Sequence, residues 1–64
     1  MNRPPTYTSQ LKQLRKAWGI SQMQLASELS ININSLINWE RGVAHPNAEN
    51  QTKLNEYFNC EVKI

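Results

Sequence analysis

The chain has sixty-four residues, seven Lys or Arg against five Glu, and a net charge of +2, which describes one small domain near the size at which a single core only just offsets chain entropy. It contains no run of about 18 apolar residues and no apolar segment behind a basic start, so neither a membrane span nor a secretory leader is expected, and the cytoplasm is the expected location. Cys60 has no second cysteine to pair with and His45 is the one histidine, so no disulfide, metal cluster or cofactor is expected and packing alone must hold the fold. The mildly basic balance permits a nucleic-acid partner without requiring one.

Residues 1–7, "MNRPPTY", with two prolines and Arg3, read as a flexible arm. Thr8 is the expected N-cap of a first helix. Within "SQLKQLRKAW", Leu11, Leu14 and Trp18 recur at spacings of three and four, with Arg15 at the edge of that stripe and Gly19 as the stop. Ser21 followed by Gln24 is the pattern of a reciprocal capping box, opening a second helix over residues 22–29 that buries Leu25, Ala26 and Leu29. Only Gly19 to Ser21 separates these helices, so they must pack closely.

Asn32 is a good cap for a third helix over residues 33–41, which Gly42 ends. After the loop "VAHP", Asn47 caps a fourth helix, "AENQTKLNEYF", closed by Asn59, a residue that tolerates the left-handed conformation. Ala48, Leu54 and Phe58 share its inner face with Gln51 and Asn55, so amides dilute the apolar stripe. The tail "EVKI", residues 61–64, alternates charged and apolar residues as a half-buried strand does, and it is a candidate dimer strand that would pair antiparallel with its copy, Glu61 facing Lys63. The expectation is an all-α, compact bundle of four or five short helices, with the domain spanning residues 8–60.

The third helix carries an unusual surface. At about 100° per residue, Leu36, Trp39 and Glu40 fall on one side, Asn34, Asn38 and Arg41 opposite, and Ile33 and Ile37 on a flank. Asparagine is a middling-to-poor helix former, because its amide competes for backbone hydrogen bonds, so its repeated use at outward positions calls for a partner. A solvated helix is the plainer reading of the same face. Glu40 beside Leu36 and Trp39 would be a costly lone carboxylate, which leads to the expectation that it pairs with Arg15 and pins the first helix to the third. Trp18 and Trp39, both on apolar stripes, are expected in the core.

These segments, from "LKQLRKAWGISQMQLASELS" through "ININSLINWERGVAHPN" to "LNEYFNC", resemble the Cro and lambda-type repressor family over roughly residues 11–60. The most specific elements are "LR" before "GISQ", the Leu25–Ala26 pair, and "WERG" followed by Pro46. The resemblance implies a lambda-repressor-like bundle in which residues 22–29 and 33–41 form a helix-turn-helix whose second helix enters the major groove. It places Asn32, Ile33, Asn34 and Asn38 against bases, Gln22 against phosphate, and the family's buried ion pair at Arg15 and Glu40. Ser35 and Ile37 complete the expected base-contacting set; Asn32, Arg41 and His45 join Gln22 as expected phosphate contacts. Ser30 stands where many members carry glycine, Gln51, Thr52 and Asn55 stand where members carry apolar residues, and nothing resembling a fifth helix follows.

An asparagine amide offers a donor and an acceptor together and binds adenine through N6 and N7, while isoleucine methyls suit the thymine methyl. The expected partner is therefore an operator in double-stranded DNA, read by a homodimer on two half-sites, and the expected activity is that of a small phage- or mobile-element-type repressor. No small-molecule ligand is expected, and no carboxylate pair, activated nucleophile or glycine-rich phosphate loop points to an enzyme. The rival class is a protein-interaction module, such as an antitoxin or anti-repressor, using the same helical face.

Overall fold

A computed structural model describes residues 9–64. The described chain forms four helices in sequence: α1 (Gln10–Ala17), α2 (Gln22–Leu29), α3 (Ile33–Arg41) and α4 (Ala48–Phe58). Among the described residues there is no fifth helix and no strand, and no helix is long and apolar enough to cross a membrane. The arm over residues 1–7, with Arg3, lies outside the described residues.

Each helix begins on a side-chain oxygen that accepts one of its orphan N–H groups. The cap of α1 is Ser9, whose Oγ accepts the Lys12 N–H at 3.1 Å, and not Thr8, which lies outside the described residues. Both are hydroxyl residues, so the sequence pattern leaves the choice between them open by one position. At α2 the Ser21 Oγ accepts the Gln24 N–H as expected, but the Gln24 amide donates onward to Glu28 instead of turning back. The box is half made. Asn32 and Asn47 cap α3 and α4 through their Oδ1 atoms.

All four helices end alike. Gly19, Ser30, Gly42 and Asn59 take the left-handed conformation, and the N–H after each returns to the carbonyl five residues back: Ile20 to Arg15, Ile31 to Ala26, Val43 to Asn38, Cys60 to Asn55. This is the Schellman arrangement, which satisfies carbonyls the helix leaves unpaired. Ile20 and Ile31, delivered by these turns, pack against the core.

The core joins Leu11 of α1, Leu25 and Ala26 of α2, Leu36 and Trp39 of α3, and Leu54 and Phe58 of α4. Two expectations about it change. Trp18 follows the stripe of α1 in sequence, yet it sits past the helix end and is 50% exposed, resting on the rings of Tyr57 and Phe58 at 5.5 and 4.9 Å. Ala48, in the first turn of α4, is exposed, so the buried face of that helix starts further along the chain.

The tail supplies what α4 lacks. Val62 is 2% exposed and belongs to the core. Its N–H is accepted by Asn55 at 2.8 Å and its carbonyl accepts the Gln51 amide at 2.7 Å, while the Lys63 N–H is accepted by Gln10 at 2.8 Å. Residues 61–64 are thus an irregular segment bonded to side chains of α1 and α4, and not a strand beside another strand. The amides that dilute the α4 stripe are the ligands of the tail backbone.

Candidate nucleic-acid interface

Helix α3 is held from three directions. Leu36 and Trp39 anchor its inner face in the core. At its N-terminal end the turn from Ser30 to Asn32 ties it to α2. At its C-terminal end Glu40, 2% exposed, receives Arg15 of α1: the Arg15 Nε lies 2.6 Å from Oε2 and its Nη2 3.1 Å from Oε1. Arg15 also donates through Nη1 to the Ile20 carbonyl, so the buried guanidinium has partners on each side. The expected pair of Arg15 and Glu40 is present in the geometry.

The opposite face of α3 is left with unused hydrogen-bonding capacity. Asn34 and Arg41 are exposed and Asn38 is half-buried, and none of these three side chains bonds to any described residue. Asn32 is exposed too, but its Oδ1 accepts the Asn34 N–H at 2.7 Å, so only its amide nitrogen remains to offer. Ser35 and Ile37 are half-buried on the same helix. Ile33 is also half-buried and packs against the core, which commits part of its surface inward, whereas Ile37 has no such packing.

Around this face lie the first turn of α2 and the loop after α3. The Gln22 amide, expected to face outward, donates to Glu40 Oε1 at 3.0 Å, an interaction that residue spacing did not reveal. His45 and Val43 are exposed in the loop, Val43 to 62%. Lys12 is half-buried and Lys16 exposed on α1, a different element from the amide face.

Two further links between α2 and α4 were also invisible in the sequence pattern. The Tyr57 hydroxyl donates to Glu28 at 2.6 Å, and Lys53 reaches the Leu29 carbonyl at 3.2 Å. The hydrogen bond from Tyr57, followed by that from Gln24, holds the Glu28 carboxyl below its usual value, and the same bond to Glu28 raises Tyr57.

Two short helices joined by a tight turn, the second bearing outward amides and an arginine that bond to no described residue, define a helix-turn-helix, the class of DNA-binding domain that lays its second helix in the major groove. The chain belongs to the helix-turn-helix domain family, whose model matches residues 8–63. It is similar to the HTH-type transcriptional activator BcrR of Enterococcus faecalis, at 29% identity over 56 residues. That match covers 88% of this chain but 28% of the relative, so the chain corresponds to a minor part of the longer protein's length. No solved structure matches the chain significantly.

Proposed function

We propose that the chain is a sequence-specific reader of an operator in double-stranded DNA and acts as a repressor by occupying it. The observation that carries this reading is the uncommitted face of α3, where Asn34, Asn38 and Arg41 make no bond to the described residues although the rest of the helix is anchored on three sides. Bidentate amide contacts suit adenine, and Ile37, with part of Ile33, suits thymine methyls, so the half-site contains A·T pairs at contacted positions. Asn32 and Ser35, in the cap and first turn, complete the base-facing set.

Phosphates are met by the backbone N–H groups at the starts of α2 and α3, at Gln22 and Asn32, and by the side chains of Arg41 and His45. Because one such helix reads few base pairs, the active species is a homodimer on half-sites about 34 Å apart. The 61–64 tail is not the dimer strand in this reading, since the Val62 N–H, the Val62 carbonyl and the Lys63 N–H already have partners within the chain.

Repression is favoured because it requires only occupancy, whereas activation needs a further surface for the transcription machinery. The rival protein-binding reading is weakened by Ile33, which packs against the core and so reduces the apolar area on the face a partner protein would use. Selection of bound duplexes from a random pool, followed by a salt titration on the winner, tests the proposal. Expected are a two-fold site and a log affinity that falls by roughly 0.9 per neutralised phosphate as log salt rises. An affinity indifferent to salt, or a pool that yields no preferred sequence, would reject it.

A further inference from the structure

Helices α2 and α3 are joined at one end by the chain itself and at the other by a side chain. The turn from Ser30 to Asn32 connects the end of α2 to the start of α3. The opposite end is closed by Gln22, the first residue of α2, whose Nε2 donates at 3.0 Å to Oε1 of Glu40 in the last turn of α3. Glu40 is buried and already fixed to α1 by two bonds from Arg15. A hinge between α2 and α3 at Ser30 therefore cannot open unless the Gln22 bond breaks.

The geometry points to Gln22 as a positioning residue for base recognition: its side chain sets the angle at which α3 is presented, and does not itself hold a phosphate. This rests on the DNA-reading function proposed above. The chemistry supports it, because the Gln22 amide N–H donates a charge-assisted bond to the Glu40 carboxylate in a partly buried site, which is stronger and more directional than a neutral bond in water. A shift of the Gln22 side chain toward DNA would leave Glu40 Oε1 with the Arg15 Nη2 alone.

Loss of the bond loosens α3 relative to α2, and the penalty falls on contacts that need register, namely those to base edges. Contacts to the uniform phosphate backbone need far less register. This separates the two roles by measurement. Gln22→Met keeps the length and shape of the side chain and removes the amide, and the residue is only half-buried, so folding should survive.

The experiment measures the affinity of the wild-type chain, Gln22→Met and Gln22→Ala for the selected duplex and for a scrambled duplex, with thermal unfolding as a check on each protein. The proposal expects both variants to lose about tenfold in the ratio of selected to scrambled affinity, the scale of one good base contact, with the loss on the selected duplex. A merely destabilised protein lowers the active fraction for both duplexes alike and leaves the ratio unmoved. Equal weakening on both duplexes overturns the inference while the DNA reading stands, and with an unchanged unfolding temperature it assigns the side chain to a phosphate. An unchanged ratio with unchanged affinities also overturns it. A wild-type chain that prefers no duplex overturns both.

Discussion

Asn55 accepts the N–H of Val62 at 2.8 Å, and through that bond an amide on a helix stands in for a neighbouring strand. Gln51, one turn earlier, completes the pair by donating to the Val62 carbonyl. Asn55→Ala leaves a buried N–H without a partner and should cost about 1 to 3 kcal/mol. Val62→Ala removes two buried methyls and should cost about the same. Urea unfolding checks both, and a null effect of either would mean that the tail contributes nothing to the core.

The Arg15 and Glu40 pair should show the asymmetry of a buried ion pair. Glu40→Ala strands a buried guanidinium and is expected to cost about 3 to 5 kcal/mol, comparable to the whole stability of so small a domain. Replacing both, with Arg15→Met and Glu40→Leu, should recover most of that loss. A double variant that loses the sum of the two single losses would show that the two groups act independently.

Ser30 holds a left-handed backbone at φ 56 and ψ 45 with a side chain that disfavours it. Ser30→Gly removes the steric strain at some cost in chain entropy, for a net gain of about 0.5 to 1 kcal/mol. Asn59→Gly, at φ 57, should gain less because asparagine tolerates this region. Thermal unfolding of the two variants side by side is the measurement, and the order of the gains is the test.

The bond between Tyr57 and Glu28 links α4 to α2 and makes that link pH-dependent in two directions. The folded Glu28 titrates below its ordinary 4.5, so its contribution is present above that value and is lost as pH falls through the depressed one. Tyr57 titrates above its ordinary 10.0, so its contribution is complete below that value and is lost as pH rises through the raised one. In a Tyr7→Phe background, tyrosinate absorbance should report a raised midpoint, and Glu28→Ala should return it toward the ordinary value. An unshifted midpoint in the parent protein counts against the bond.

On the proposed DNA face, Asn34→Ala and Asn38→Ala remove amides that bond to no described residue, so unfolding temperatures should hardly change. Each is expected to relax base preference by about 1 to 3 kcal/mol at one position of the half-site. Repeating the duplex selection with each variant reads this directly. A variant that selects the same site with the same stringency removes that residue from the reading face.

Much of the fold is legible residue by residue. The bounds of α2 and α3, the caps Ser21, Asn32 and Asn47, and the stops Gly19, Gly42 and Asn59 are all local chemistry: a side-chain oxygen beside orphan N–H groups, or a residue that tolerates positive φ. The ion pair of Arg15 and Glu40 is legible for a related reason, since a carboxylate on an apolar stripe needs a cation on the facing one. Trp18 continues the apolar spacing of α1 but lies one residue past the helix end, where that periodicity no longer sets which way a side chain faces. The amides Gln51 and Asn55, read as a flaw in α4, gave no local sign that their partner lay in the tail.

Sequence alone determined four helices, their order, and a third helix with an amide-rich outer face, because capping, periodicity and helix propensity act over a few neighbouring residues. Only the tertiary structure decided which polar side chains are free to meet a partner. Gln22 turns inward to Glu40 while the Asn34 and Asn38 side chains bond to no described residue, and no spacing rule distinguishes them, since a side chain's availability depends on what another helix brings within about 3 Å of it.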